Sequence, residues 1–189
     1  MIVAGTDEAG RGPLAGPVVA AAAVLEPFQM RELMGLGLRD SKRLSPRRRD
    51  IIFASLGLLG VVWRAQAASP ARIDRDNILQ ASLWAMGRAV LSLPERPHLV
   101  VVDGTVEIPG LPLPQRALPR GDDRVLCVAA ASVVAKVLRD RIMERLGRLF
   151  PEYGFGAHKG YPTEAHRRAL ALYGPSPVHR RSFSWGEGS

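Results

Sequence analysis

Cysteine is almost absent from this sequence, which carries a single thiol, Cys127, among 189 residues. A lone cysteine has no partner for an intramolecular disulfide. Cys127 lies in the apolar run "VLCVAAA", and a thiol in such surroundings is usually a small core residue. We therefore expect a buried structural thiol and no redox or cysteine-nucleophile chemistry.

Long hydrophobic runs are also missing. The sequence has no stretch of about 18 uncharged apolar residues, the length a membrane-spanning helix needs. Its first residues, "MIVAGTDE", show no cationic segment followed by a long apolar one, as a secretory leader would. We expect a cytoplasmic protein without membrane partners. With 47% apolar residues, the chain can fill a core, and its length suits one domain with at most a small appendage.

Acidic residues are scarce relative to basic ones, with 18 Asp and Glu against 26 Lys and Arg, for a formal net charge of +8. The basic residues gather in the segments "LRDSKRLSPRRRD", "KVLRDRIMERLGR" and "HRRALALYGPSPVHRRSF". Such clustering predicts a polyanionic partner. For Arg47, Arg48 and Arg49, a solvated helix start is an alternative.

Alternating strand and helix patterns predict an α/β fold. Period-2 or continuous apolar runs predict strands at 1–7, 15–25, 61–67 and 98–104, the first two pairing as a hairpin. Capping residues and helical spacing predict helices from Ser45, over 73–93, over 126–150 and from Thr163. The proline-containing segment between the last strand and the helix at 126 is expected to be irregular. We expect residues 1–150 to form the body and 151–189 a small extension that is not independent.

Several acids fall where predicted strands end. Asp7 and Glu8 close the first strand, Asp103 closes the strand at 98–104, and Asp122 and Asp123 lie in a predicted loop before the long helix. Neighbouring strands are about 4.8 Å apart, so such carboxylates can converge. They would repel one another unless a cation lay among them, and oxygen ligands favour Mg²⁺ or Mn²⁺. Taken singly, Asp7 could cap a turn and Asp103 could serve an Asp-Gly turn.

The glycine-rich stretch "GTDEAGRGPLAGP" does not satisfy either common phosphate-binding pattern. In the P-loop frame, Arg11 and Gly12 replace the Lys-Ser/Thr pair that contacts the phosphates and magnesium. In the dinucleotide frame, Pro13 and a β-branched strand follow where a helix N-terminus should face the pyrophosphate. The stretch therefore predicts neither a nucleotide triphosphatase nor a dehydrogenase.

Motifs over most of the chain, from Val3 to Phe183, resemble type 2 ribonuclease H, the bacterial ribonuclease HII family. They are "GTDEAGRGPLAGPVVAAAAVL", "DSKRLS", "NILQASLWAMGRAV", "VDG", "RGDDRVLCVAAASVVAKVLRD", "YGFGAHKGYPTEAH" and "GPSPVHRRSF". The resemblance implies an RNase H-like fold, in which a mixed five-stranded sheet is flanked by helices and followed by a small helical C-terminal extension.

The resemblance also implies a catalytic set. Four acids would bind two Mn²⁺ or Mg²⁺ ions and carry the catalysis: Asp7, Glu8, Asp103 and Asp122. Asp123 is the less favoured alternative to Asp122, because Asp122 follows the glycine of the motif directly. Paired dications about 3.5–4 Å apart can activate water and stabilise a leaving oxygen.

The resemblance further implies residues that contact the nucleic acid. The set comprises Gly10, Arg11, Gly12, Lys42, Ser132, Lys136 and Tyr161. The glycine-arginine-glycine backbone would contact a ribose 2′-hydroxyl, the group that distinguishes RNA from DNA, and Tyr161 would stack on the next sugar. Ser132 and Lys136, four residues apart on the long helix, would contact phosphates, and Lys42, in a loop before a helix, would contact a phosphate or steady the carboxylates. The alternatives are packing for Tyr161, a buried position for Ser132 and an ion pair with Asp140 for Lys136.

Together these features predict a monomeric, metal-dependent endoribonuclease. Its substrates would be the RNA strand of RNA/DNA hybrids and ribonucleotides embedded in duplex DNA, cut on the 5′ side to leave a 3′-hydroxyl and a 5′-phosphate. A non-catalytic basic nucleic-acid-binding module is the alternative. His158, His166 and His179 show no ligand-like spacing and are expected to be surface or packing residues.

Overall fold

The computed structural model of the chain describes residues 1–38 and 44–185. Within these residues one mixed sheet contains five strands in the order β3-β2-β1-β4-β5. Strands β1 and β2, and β2 and β3, pair antiparallel, whereas β4 runs parallel to both β1 and β5. The strands are β1 (Val3–Ala9), β2 (Val18–Val24), β3 (Val62–Ala68), β4 (Leu99–Asp103) and β5 (Gln115–Leu118). The four strands and the hairpin expected from the sequence are confirmed.

Helices follow the predicted capping signals. Ser45 accepts a hydrogen bond from the Arg48 amide at the start of α2, and Thr163 caps α8 in the same way. The helices are α1 (Pro27–Gly35), α2 (Pro46–Leu58), α3 (Pro70–Asp76), α4 (Ile78–Leu91), α5 (Gly121–Arg124), α6 (Leu126–Leu149), α7 (Phe155–His158) and α8 (Glu164–Tyr173), with a 3₁₀ turn at Pro151–Tyr153.

Three local predictions need correction. The single helix expected over 73–93 is two helices, because Asn77 adopts a φ of 68° and its side chain caps α4 by accepting from the Gln80 amide. Strand β5 lies within the segment expected to be irregular, where its pairing with β4 could not be inferred locally. Asp122 and Asp123 belong to the one-turn helix α5 and not to a loop.

The sheet is covered on both faces, and β2 contributes alternately to the two. Ala20 and Ala22 join the core on the α4 side, while Ala21 and Ala23 join the core on the α6 side. The small side chains allow close approach of helix and sheet. A Cβ atom at Gly5 in β1 would lie 2.2 Å from the Val128 amide nitrogen of α6. This contact places the start of α6 directly beside the middle of β1.

Residues after α6 pack on the body through a third cluster. Leu14 and Ala15 contact Met143 of α6 together with Tyr153 and Phe155. Ala15 also forms an isolated antiparallel bridge with His179. The 151–185 segment is thus bonded to the turn that follows β1. That the extension does not fold independently stays a prediction.

The structure bears on two features noted in the sequence, the single thiol and the lack of long apolar runs. Cys127 is buried in α6, and burial raises the pKa of its thiol to about 11, as suits an unreactive core thiol. None of the helices in the described ranges combines the length and hydropathy needed to span a bilayer.

Candidate active site

The four predicted acids line one cleft of about 340 Å³ at an edge of the sheet. Asp7 and Glu8 come from β1 and Asp103 from the end of β4, whose parallel register puts Thr6 beside Val102. The next residues are Asp7 in β1 and Asp103 in β4, so these two carboxylates lie at the same level of the sheet. Asp122 reaches the cleft from α5.

Asp7 lies deepest, with only 5% of its surface exposed. Its pKa is raised well above the ordinary value, mainly by burial and further by the charges of Glu8 and Asp103. Two hydrogen bonds oppose this shift, one from the Ser132 hydroxyl and one from the Glu8 amide to Oδ1 at 2.7 Å. The side chain is therefore held in place but is poorly compensated when ionised.

Glu8 contains a buried carboxylate oxygen, Oε2, that has no hydrogen-bond partner. The other oxygen, Oε1, lies 3.4 Å from Nη1 of Arg11. Burial raises the pKa of Glu8; Arg11 opposes this and Asp103 adds to it. A buried carboxylate oxygen without a donor is costly and marks a position where a cation would stabilise the site.

Asp103 and Asp122 are connected through the start of α5. Oδ1 of Asp103 accepts a 2.6 Å hydrogen bond from the Gly121 amide, and Asp122, which is 3% exposed, is the next residue. Of the two adjacent acids, Asp122 lines the cleft. Asp123 forms an ion pair with Arg120 at 2.9 Å.

The donor chemistry of the cleft fits a hard divalent cation. In the part of the chain that the structure describes, no three Asp, Glu, His or Cys side chains are already gathered as a ligand set. The carboxylates nevertheless offer oxygen donors only, Asp7 is buried beside two like charges, and Glu8 Oε2 has no partner. Oxygen donors of this kind suit Mg²⁺ or Mn²⁺.

The glycine-arginine-glycine turn borders the acids. Gly10 lines the cleft and has a φ of 97°, a region that favours glycine. A Cβ atom at Gly12 would lie 3.7 Å from Cε1 of Tyr161, so the turn and the tyrosine ring are neighbours. Arg11 and Tyr161 are both exposed. The predicted ribose-contacting residues are thus on one rim.

The predicted phosphate-contacting residues are placed differently from one another. Lys136 lines the cleft but also forms the alternative ion pair with Asp140, at 3.0 Å. Ser132 lines the cleft and is half-buried, and its hydroxyl is bonded to Asp7. Lys42 lies outside the described residues. Arg49 also lines the cleft, although the sequence predicts it only as part of a basic run. Its position in α2 was the one feature that could have indicated a place near the acids.

The three histidines of the extension pack together. The rings of His158 and His166 stack with centroids 4.4 Å apart, and His166 Nε2 is 3.0 Å from His179 Nε2. His166 and His179 are buried, which lowers the pKa of both, that of His179 to about 4. They act as packing residues beneath Tyr161, whose carbonyl lies 2.9 Å from His166 Nδ1.

Comparison with known proteins identifies the family. The model of the family described as Ribonuclease HII matches residues 4–185. The chain is 52% identical to Ribonuclease HII of Maricaulis maris (strain MCS10) over 188 residues, covering 96% of this chain and 81% of the relative.

Two solved structures resemble the fold. The crystal structure of the ribonuclease H2 from Pyrococcus horikoshii OT3 superposes with a TM-score of 0.80 at 28% identity, over 98% of this chain and 95% of that one. Bst-RNase HIII in complex with Mn²⁺ gives a TM-score of 0.79 at 21% identity, over 97% and 67%, and shares the fold. With a family match over nearly its whole length and this RNase H-like fold, the chain belongs to the ribonuclease HII family and is an endoribonuclease of the ribonuclease H type.

Proposed function

We propose that the protein is a metal-dependent endonuclease that cuts the RNA strand of RNA/DNA hybrids and incises duplex DNA on the 5′ side of single embedded ribonucleotides. The observation that carries the proposal is the juxtaposition of four carboxylates with the Gly10–Gly12 turn and Tyr161 around one cleft. The acids provide a place for hydrolysis, and the turn provides a place to detect ribose. Membership of the family favours this enzyme over the non-catalytic binding module.

Asp7, Glu8, Asp103 and Asp122 would hold the divalent ions. When bound, such ions lower the pKa of water and stabilise charge on a leaving oxygen. Bst-RNase HIII, which shares the fold, was crystallised with Mn²⁺. In this chain the buried Asp7 and the unpartnered Oε2 of Glu8 support cation binding. Hydrolysis would join the water oxygen to phosphorus and break the bond to O3′, which takes a proton and leaves as the 3′-hydroxyl beside a 5′-phosphate.

Positioning of the substrate would fall to the rim of the cleft. The turn has no side chain at Gly10 or Gly12, so its backbone can approach a sugar closely and hydrogen-bond a 2′-hydroxyl. The exposed ring of Tyr161 lies beside the turn and could stack on the adjoining sugar. The ring also has Lys136 Nζ 6.0 Å from its centroid.

Phosphate contacts would come from cations on two helices. Lys136 of α6 and Arg49 of α2 line the cleft, and cations at such positions neutralise the backbone of a duplex. Ser132 is assigned here mainly to Asp7, because its hydroxyl is already bonded to that carboxylate. A phosphate contact by Lys42 stays a prediction, as do a monomeric state and a cytoplasmic location.

A cut-site map on defined duplexes tests the proposal. Three duplexes of one sequence would be compared: all DNA, DNA with one ribonucleotide, and an RNA/DNA hybrid, each with Mn²⁺, Mg²⁺ or EDTA. We expect cleavage of the second and third only, a single cut 5′ to the ribonucleotide, and none in EDTA. Cleavage of the all-DNA duplex, or cleavage that persists in EDTA, would contradict it.

A further inference from the structure

Two arginines are completely buried beneath the Gly10–Gly12 turn. Arg139 of α6 and Arg180 of the extension have no exposed surface and are the largest fully buried side chains in the described chain. Burying a guanidinium is costly unless its donors are satisfied. Both side chains donate to backbone carbonyls of residues 10–17, and only Arg139 Nη1 is left without a partner among the described residues, so their burial serves this stretch of backbone.

Arg180 bonds to three carbonyls around the turn. Its Nη2 donates to Gly10 at 2.6 Å and its Nη1 to Arg11 at 2.8 Å, while its Nε donates to Gly16 at 3.0 Å. The Arg180 amide also donates to the Leu14 carbonyl at 2.8 Å. The planar fork of a guanidinium can satisfy several acceptors at fixed angles, which a lysine ammonium cannot do.

Arg139 supports the same turn from α6. Its Nε donates to Pro17 at 3.0 Å and its Nη2 to Ala15 at 3.2 Å. A Cβ atom at Gly10 would lie 1.9 Å from the Arg139 Nε, so the arginine occupies the space that any side chain at that position would need. Arg180 therefore holds both the 10–11 and the 16 carbonyls, and Arg139 holds the 15 and 17 carbonyls beside them.

The direction of these bonds decides which way the turn presents its donors. The described residues have no cis peptide bond, and in a trans peptide the carbonyl and the amide hydrogen point in opposite directions. The Gly10 and Arg11 carbonyls point toward Arg180. The amides of the same two peptide units, which belong to Arg11 and Gly12, therefore point away from it.

We propose that Arg180, supported by Arg139, is a positioning residue for ribose recognition, because it holds the Arg11 and Gly12 amides facing the nucleic acid as paired donors. A 2′-hydroxyl oxygen can accept from such donors, and a deoxyribose has no atom there. This inference rests on the proposed function, in which the turn contacts ribose. Arg180 itself touches no substrate and acts only through the turn.

The test measures how strongly one 2′-hydroxyl improves binding. Anisotropy in EDTA would compare a DNA duplex with the same duplex carrying one ribonucleotide, for the wild type and for Arg180→Lys. We expect the variant to lose the preference by about tenfold, as for one lost hydrogen bond, while its affinity for all-DNA stays within about twofold of wild type. Metal-supported cleavage of the single-ribonucleotide duplex should then show a raised KM.

Two control variants separate positioning from general destabilisation. Arg181→Lys makes the same change at the exposed neighbouring residue, and Val90→Ala weakens the core on the α4 side. Both should retain the wild-type preference at a temperature where circular dichroism shows all proteins folded. Should Arg180→Lys fail to fold, Arg139→Lys carries the same measurement, with the same expected loss.

The outcomes distinguish this inference from the function on which it rests. Equal binding of both duplexes by the wild-type protein would overturn ribose sensing by the turn itself. A wild-type preference that Arg180→Lys retains would overturn the inference alone. A variant that loses affinity equally for both duplexes would also overturn it, since that result indicates a structural role only.

Discussion

At the scale of single residues, the cleft concentrates negative charge where burial makes it costly. Asp7 and Glu8 are adjacent in β1, Asp103 raises the pKa of both, and the first cause of each shift is loss of solvent. A chain selected only for stability would not bury neighbouring carboxylates with one oxygen, Glu8 Oε2, left without a donor. The arrangement is explained if the carboxylates are compensated by cations during function.

Asp7→Asn should stabilise the metal-free protein at neutral pH. Burial raises the folded-state pKa of Asp7 well above its ordinary value, so the folded state binds this proton more tightly than the unfolded state. Wild-type stability therefore falls as pH rises from about 4 through the raised pKa. The asparagine variant lacks this loss, so its advantage should be largest at neutral pH and vanish on acidification.

Thermal unfolding in EDTA across this pH range measures the difference. Added Mn²⁺ should raise the melting temperature of the wild type and have little effect on Asp7→Asn. A variant that is less stable than wild type at neutral pH would contradict the interpretation of Asp7 as an uncompensated buried charge.

Asp103→Asn should abolish turnover and leave duplex binding largely intact. The substitution keeps an oxygen that can accept from the Gly121 amide but removes the charge that a divalent cation requires. Without the stabilisation of the transition state by the metal, the activation free energy should rise by several kcal/mol, which lowers the rate about a thousandfold. Single-turnover cleavage and anisotropy would be measured together, with Asp123→Asn as the matched control of unchanged activity. Cleavage by Asp103→Asn near the wild-type rate would exclude Asp103 from the metal site.

At the scale of secondary-structure elements, the contact between β1 and α6 brings the site together. Gly5 allows the strand to approach the helix backbone, and the hydroxyl of Ser132, one helical turn after Val128, bonds to Asp7. Lys136 follows one turn later on the same side of α6. Acids and cations from distant segments thus meet because two elements pack closely.

Gly5→Ala should be strongly destabilising. The added methyl group would lie 2.2 Å from the Val128 amide and 2.4 Å from the Cys127 carbonyl carbon, both backbone atoms that cannot rotate away. Overpacking of this kind costs about 2 kcal/mol or more. Gly57→Ala is the matched control, since that helical glycine has open space around it and should gain about 0.5–1 kcal/mol. Urea unfolding would measure both; equal stabilities would refute the close contact.

Local sequence signals are sufficient for helix starts but not for helix breaks or short strands. Ser45 and Thr163 cap helices as the sequence indicates, because a capping hydroxyl acts on an amide only three residues away. The helix break at Asn77 was not predicted because the apolar spacing continues across this residue. The break lies in the backbone, where Asn77 has a positive φ. Strand β5 was not predicted because its four residues depend on pairing with β4, and the local sequence around β5 does not show that pairing.

At the scale of the whole molecule, a chain with a net charge of +8 contains an acidic cleft. Cations along α2 and α6 border it, and the extension contributes Tyr161 at the surface and Arg180 beneath the turn. The 151–185 segment therefore contributes residues to the rim of a cleft whose acids all belong to the body. A long-range attraction to phosphates and a local set of carboxylates can coexist because they act at different distances.

Duplex binding should weaken steeply with salt. Each phosphate neutralised by Lys or Arg releases counterions, so the logarithm of affinity should fall linearly with the logarithm of salt concentration. Removing one contacting cation, as in Arg49→Gln, should reduce that slope by about one. Arg75→Gln, which changes an exposed arginine paired with Asp76, is the control and should leave the slope unchanged. An affinity insensitive to salt would contradict binding through the basic surface.

By itself the sequence determined the α/β pattern, most helix starts, the basic character and the identities of the four acids. Each of these depends on residue type, on near neighbours or on motifs that resemble a family. Only the tertiary structure decided that the four acids share one cleft, that Asp122 and not Asp123 lines it, and that Arg180 lies beneath the turn 170 positions away. Such placements depend on strand register and on close packing between distant segments, and neither property can be derived from residues taken in order.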